Sequence, residues 1–148
     1  MILEQLKQLL LEIKKQVLIG ATDQGRQFRS KFQVRTLPPK VIGFDNGDEF
    51  IDGNVKSYPS SEQKRHYCYF IYQPKTRDIK ELWCDCKDFQ YRLMVPMERN
   101  KLANRDNVPA KMNKNANFLA NREWTKVTNP SGKLFFCKHL LALSRYIN

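Results

Sequence analysis

The sequence predicts an α+β fold: a small antiparallel sheet or hairpin, a C-terminal helix and an N-terminal amphipathic helix. Three observations predict it. An aromatic-rich strand pattern at 66–72 is followed by a second strand pattern at 79–86, a helical pattern lies at 138–147, and a second helical pattern lies at 2–18. The chain has 148 residues, enough for one domain with its own core and one small appendage. We therefore expect a helix at 1–20 and one domain at 26–148.

The N-terminal helix is predicted from apolar residues that recur at spacings of three and four. They are Leu3, Leu6, Leu10, Ile13 and Val17. Two heptads do not sustain an isolated coiled coil, so this helix docks either on its own domain or on a partner subunit. Charged residues interrupt the apolar run, and we therefore expect neither a signal peptide nor a membrane anchor.

Residues 27–35 alternate strictly between apolar and basic or polar side chains, which predicts a half-buried strand. Its outer face carries Arg29, Lys31 and Arg35, our candidate nucleic-acid contacts. Leu37-Pro38-Pro39 ends the strand.

Residues 41–58 hold two turn dipeptides, Asn46-Gly47 and Asp52-Gly53, on either side of a short strand. Four acidic residues cluster there: Asp45, Asp48, Glu49 and Asp52. A metal or catalytic carboxylate site is one interpretation. Their spacing matches no calcium loop, so turn chemistry is the favoured one.

Residues 66–72 have apolar or aromatic side chains on both faces, which predicts a central strand. Residues 73–78 contain Pro and Asp and predict a turn, and residues 79–86 return as the paired strand.

Residues 97–133 differ from the rest of the chain in composition. They hold eight Asn, 8 basic and 3 acidic side chains, and few large apolar residues. This pattern predicts a long loop with one short helix, which we call the insertion. A structureless segment of that length is often functional. The insertion is interpreted either as a surface that binds a partner or as a loop that packs on its own core.

Three of the four cysteines and one of the two histidines form two tight pairs, Cys84/Cys86 and Cys137/His139. Residues two apart on a strand project to the same side, so Cys84 and Cys86 converge. In a regular helix Cys137 and His139 would lie about 200° apart. They converge only where the chain enters the helix, which is where the pattern places them.

Three sulfurs and one nitrogen suit tetrahedral zinc, and four protein ligands leave no open position. The sequence therefore predicts one structural Zn²⁺ that pins the C-terminal helix to the hairpin. The alternatives are a disulfide to Cys137 and a catalytic Cys137–His139 pair. Cys68 is expected to be a buried apolar residue, and His66 to lie at a strand end without a ligand role.

Trp83-Cys-Asp-Cys86 after a hairpin, followed by Cys137-Lys-His-Leu-Leu-Ala-Leu143, resembles the SWIM zinc finger, whose pattern is CxC, a gap and CxH. The resemblance implies that Cys84, Cys86, Cys137 and His139 are the ligands. It also implies binding to DNA or to protein.

The gap of 50 residues between Cys86 and Cys137 exceeds the usual gap of that family. Residues 86–92, together with Thr128-Asn-Pro130 and Gly132, are similar to a variant among uncharacterised tailed-bacteriophage proteins. There a CDCxDFxYR segment and a TNP segment bracket the insertion. This second resemblance implies a place in a virus particle or in its assembly.

Charge supports a polyanionic or acidic partner. The net charge is +11, and residues 87–148 carry 12 basic and 4 acidic side chains, a net of +8.

We recognise no Gly-rich phosphate loop, paired-carboxylate motif or Ser-His-Asp arrangement, so we expect no enzyme and no small-molecule substrate. The leading hypothesis is a structural or assembly protein of a phage particle that contacts other subunits, in the virion or the host cytoplasm. We expect it to be neither secreted nor bound to a membrane. The alternative is a small DNA-binding SWIM protein.

Overall fold

The computed structural model describes residues 34–57, 65–112 and 118–147. The predicted helix at 2–18, the strand residues before Val34, and Arg29 and Lys31 lie outside this range. The described part contains five strands and three α-helices, so the predicted α+β class is confirmed.

All five strands form one antiparallel sheet. They are β1 Val34–Thr36, β2 Lys40–Gly43, β3 Glu49–Ser57, β4 Arg65–Gln73 and β5 Asp78–Cys84. The sheet order is β1-β3-β4-β5. β2 pairs with the same edge of β3 as β1 does, further along the strand. The predicted central strand is β4, and the predicted hairpin is β4–β5. Pro38 and Pro39 separate β1 from β2, in agreement with the predicted end of the first strand.

The predicted turn at Asp52-Gly53 is wrong, because both residues lie inside β3. A Cβ on Gly53 would lie 2.7 Å from one methyl carbon of Leu143 and 3.1 Å from the carbonyl oxygen of Cys68. Glycine is therefore present because a helix packs closely on the strand, and not because the chain reverses there. The other dipeptide does form a turn, where Gly47 has a φ of +86°.

One face of the sheet carries the C-terminal helix, α3, Lys138–Ser144. Register places Gly53, Cys68 and Cys84 side by side on this face. Phe136, just before the helix, packs on Phe70 with ring centroids 5.4 Å apart. This face, which we call the metal face, therefore brings the end of β5 and the start of α3 together.

The opposite face contacts the insertion, which in its described part is mainly loop and turn with one helix of its own, as predicted. It contains the end of α1 (Met94–Arg99), a 3₁₀ turn at Arg105–Asn107 and α2 (Phe118–Thr128). The backbone N–H of Leu82 donates to the carbonyl oxygen of Leu102 at 2.7 Å. Lys111 binds the Asp52 carboxylate and lies over the Tyr67 ring. Four apolar residues of the insertion are buried in the core: Leu102, Ala103, Val108 and Met112.

A π-helical turn, Phe89–Leu93, joins the first cysteine pair to α1. In the hydrogen-bond pattern of this turn the Tyr91 carbonyl would accept from residue 96, and Pro96 has no N–H to donate. The hydroxyls of Thr125 and Thr128 donate to the carbonyl oxygen of Tyr91 at 2.8 and 3.0 Å. Two threonines near the end of the insertion are therefore bonded to the π-helical turn that precedes it.

Candidate metal centre

The first ligand pair sits where β5 ends. Cys84 is the last residue of the strand, and Cys86 follows after a single residue. The backbone N–H of Phe89, at the start of the π-helical turn, lies 3.3 Å from the Cys86 sulfur. Such an N–H stabilises a thiolate, so the turn both positions Cys86 and favours its metal-binding form.

The second pair sits where α3 begins. Cys137 precedes the helix with extended backbone angles, φ −66° and ψ 166°, and His139 lies in the first turn. Because Cys137 is not helical, it does not point away from His139 as a regular helix would require. The predicted convergence at the helix entry is confirmed.

The four side chains meet in one buried cluster. One ligand atom from each of Cys84, Cys86, Cys137 and His139 lies within 4.8 Å of every other. Tetrahedral zinc with Zn–S bonds of about 2.3 Å holds its sulfurs about 3.8 Å apart, so a small contraction closes the site. These residues form a structural zinc site. Among the residues that the structure describes, this is the cluster whose donors fit a metal.

Burial sets the protonation of the ligands. It raises the pKa of all three thiols well above the usual range, and hydrogen bonds among the thiols add smaller effects of both signs. It also lowers the pKa of His139 to about 2, with smaller effects from His66 and Lys138. The metal-free cluster is therefore neutral, with three protonated thiols and a neutral imidazole. Zn²⁺ has to displace three protons, and its charge then compensates the buried thiolates.

The alternatives to zinc fit this geometry less well. All four cysteines are free thiols. A catalytic Cys137–His139 pair needs an accessible thiolate, whereas Cys137 is fully buried and its thiol pKa is raised. Cys68 pairs with Cys84 across the sheet, but lies outside the cluster of four, as predicted.

Comparison with known protein families gives one match. Residues 69–99 match the SWIM zinc finger family. Curated proteins and solved structures give no match to the chain. The SWIM match covers most of the β4–β5 hairpin, Cys84, Cys86 and α1, and it ends inside the insertion. The SWIM resemblance predicted from the motifs is thus confirmed.

The second SWIM ligand pair lies beyond the matched residues, and the fold supplies it. Cys137 and His139 return to the hairpin because the insertion is bonded to the sheet and to the π-helical turn. The site is therefore similar to a SWIM finger with a folded segment placed between its ligand pairs, and the SWIM match indicates a zinc-binding interaction domain.

Other predicted site residues lie elsewhere. Arg35 is exposed on β1. The acidic cluster does not converge on a metal: Asp48 binds Lys80, Gln73 and Asn46, and Asp52 binds Lys111. Turn chemistry, the interpretation favoured from the sequence, accounts for Asp48, whereas Asp52 lies inside β3 and its carboxylate pairs with Lys111.

Two features of the site were missed from sequence. One is the contact of His66 with His139, and the other is the hydrogen bond of His66 to Asp85. The alternation of side chains along β4 could have revealed the His66 contact, because it places His66 and Cys68 on the same face of the sheet as the ligands.

Proposed function

We propose that this protein is a non-enzymatic, zinc-stabilised interaction protein that serves as a structural or assembly component of a tailed-bacteriophage particle. Its partners are other protein subunits of that assembly, and it works in the virion or in the host cytoplasm before assembly. The observation that carries the proposal is an exposed apolar edge of the sheet in the part of the chain that the structure describes.

This edge consists of Val41 and Ile42 on β2 and Phe44 just after it, and we call it the edge surface. Their exposed fractions are 55%, 53% and 47%. Neighbouring residues of a strand point to opposite faces, so among the described residues β2 is exposed on both sides. Edge strands are normally protected by charge, proline or a covering segment. A strand from a neighbouring subunit that pairs with β2 would cover both apolar side chains and satisfy its outer backbone groups.

The closed ligand set supports a binding role over a catalytic one. Three thiolates and one imidazole fill a tetrahedral site, and the cluster is buried, so no position is left for a substrate. The zinc then acts by holding the hairpin and α3 in one rigid core. A rigid core suits a protein whose task is to present a surface.

The link to phage particles rests on two segments that resemble proteins of tailed bacteriophages. They contact each other through the bond from the Thr128 hydroxyl to the Tyr91 carbonyl. The two motifs therefore work as one structural unit, which favours a shared origin over two chance similarities.

The insertion supplies a second candidate contact. Its inner part packs on the sheet, whereas Trp124 and Val127 on α2 have exposed fractions of 54% and 77%. We therefore restrict the predicted working surface of the insertion to the outer side of α2.

Purified, nuclease-treated particles of the source phage test the proposal. The parent chain should be found in them at a fixed copy number by quantitative mass spectrometry. Ile42→Glu, confirmed to be folded and zinc-loaded, should be lost from the particles. Thr76→Glu adds the same charge in the exposed β4–β5 turn and should be retained. Absence of the parent, or normal incorporation of Ile42→Glu, would contradict the proposal.

DNA binding is the second candidate function, and one surface favours it. Arg35 and Arg145 line an open cavity of about 490 Å³ between β1 and α3. With a net charge of +11, such a surface suits phosphate contacts. A steep fall of DNA affinity with salt, reduced by about one unit of slope in Arg35→Ala, would support this function. Weak binding with no salt dependence would exclude it.

A further inference from the structure

A histidine that is not a ligand lies against the ligand histidine. The ring centroids of His66 and His139 are 4.3 Å apart, and the rings are inclined by 43°. An imidazole ligand must point one nitrogen at the metal, so rotation of its ring moves that nitrogen away. His66 packs on the His139 ring and restricts that rotation.

His66 is held in turn by a carboxylate. Its Nδ1 lies 2.9 Å from Oδ1 of Asp85. A carboxylate can only accept, so the Nδ1–H of His66 donates. The His66 and Asp85 side chains are 22% and 10% exposed, so the bond is largely shielded from competing water.

Asp85 is the residue between the ligands Cys84 and Cys86, and three further hydrogen bonds hold it in place. Its backbone N–H donates to the Tyr67 carbonyl at 3.1 Å, and its Oδ1 accepts from the Tyr67 N–H at 3.2 Å. The Gln90 side chain donates to its carbonyl oxygen at 3.2 Å. The middle residue of the CxC motif therefore joins the first ligand pair to β4.

We propose that Asp85 and His66 are positioning residues of the zinc site. Asp85 orients His66, and the His66 ring holds the His139 imidazole in the orientation that binds zinc. Outer partners of a ligand histidine usually hydrogen-bond to it directly. Here the carboxylate acts through an intervening ring, and it links ligands from both ends of the 50-residue gap.

The test measures zinc release to a chromogenic chelator and the absorption spectrum of the Co²⁺-substituted protein. In Asp85→Ala and His66→Ala, zinc release should be about tenfold faster or more, the usual loss for outer partners. Their Co²⁺ spectra should also change, because the ligand field around the metal is altered. A role in folding alone would leave the Co²⁺ spectrum of the folded protein unchanged.

Two variants serve as matched controls. Asp88→Ala removes the same charge three residues away, where the carboxylate pairs with Arg92 rather than with His66. Asp85→Asn keeps an oxygen that accepts from both the His66 and the Tyr67 N–H groups. Both should release zinc at nearly the parental rate.

His66→Phe keeps a ring against His139 but cannot donate to Asp85, and its release rate should lie between those of the parent and His66→Ala. This variant carries the test if Asp85→Ala does not fold. Parental release rates and Co²⁺ spectra in folded His66→Phe and His66→Ala would overturn the proposal.

Discussion

The side-chain amide of Asn129 donates to the carbonyl oxygen of Arg92 at 2.8 Å, and this bond joins the two ends of the segment between the zinc ligand pairs. Asn129 is 6% exposed. Its amide also donates to the Lys133 carbonyl, and its oxygen accepts from the Lys133 N–H. The hydrogen bonds of this one buried asparagine thus stabilise the segment that leads from the insertion back to Cys137.

Asn129→Ala should therefore destabilise the protein. It removes the partners of two carbonyls and one N–H, and a buried polar group left unsatisfied costs about 1–3 kcal/mol. We expect a loss of about 2–3 kcal/mol in the free energy of unfolding, measured by chemical denaturation of the zinc-loaded protein. Asn107→Ala, which loses one exposed bond to Glu81, is the control and should change little. Equal stability of the two variants would refute the role of Asn129.

Gly53→Ala tests the close packing of α3 on β3. The added Cβ would lie 2.7 and 2.9 Å from the two methyl carbons of Leu143, a fully buried side chain. Overpacking of this kind costs about 1–3 kcal/mol. Gly43→Ala in the same sheet meets no atom within 4 Å and should be nearly neutral. Thermal melting of both variants distinguishes them, and an unaffected Gly53→Ala would show that the helix does not pack as described.

Asp48 should make stability depend on pH. Hydrogen bonds from Lys80, Asn46 and Gln73 hold its pKa below the usual value of 3.8. Because the folded-state pKa is lowered, the stabilisation is complete above the unfolded-state pKa and is lost as pH falls through the folded-state pKa. Asp48→Asn should thus be less stable than the parent at pH 7, with the difference shrinking below about pH 4. A difference that stays constant down to pH 2 would contradict this assignment.

Cys86→Ser should remove the zinc and loosen the junction between the β4–β5 hairpin and α3. The metal joins segments 50 residues apart, and structural zinc contributes on the order of 10 kcal/mol of apparent binding energy near neutral pH. We expect a large drop in melting temperature. Cys68→Ser removes a buried cysteine outside the cluster and should retain one zinc. A Cys86→Ser protein that melts within a degree or two of the parent would show that the site is not structural.

The strands of the hairpin, the final helix and the zinc ligands could be predicted because their signals are local. Alternation fixes the face of a strand, and residue spacing fixes which side chains converge. The sequence predicts a turn at Asp52-Gly53, but the glycine is there because Leu143 packs closely against it. No local sequence pattern reveals that contact.

The packing of the insertion on the sheet could not be predicted for a related reason. Its apolar residues are few and lack helical or strand period, yet Leu102 and Val108 are buried in the core. Their burial depends on pairing with the free edge of β5 and on covering Tyr67 and Asp52, contacts that only the assembled sheet creates.

The described helices are all too short or too polar to cross a lipid bilayer.

The central claim is that Cys84, Cys86, Cys137 and His139 bind one structural zinc. Zinc X-ray absorption spectroscopy on the purified protein, combined with metal analysis, tests it most directly. We predict one zinc per chain with three sulfur ligands at about 2.3 Å and one nitrogen at about 2.0–2.1 Å. Metal-replete protein without zinc, or a coordination shell with fewer than three sulfurs, would contradict the claim.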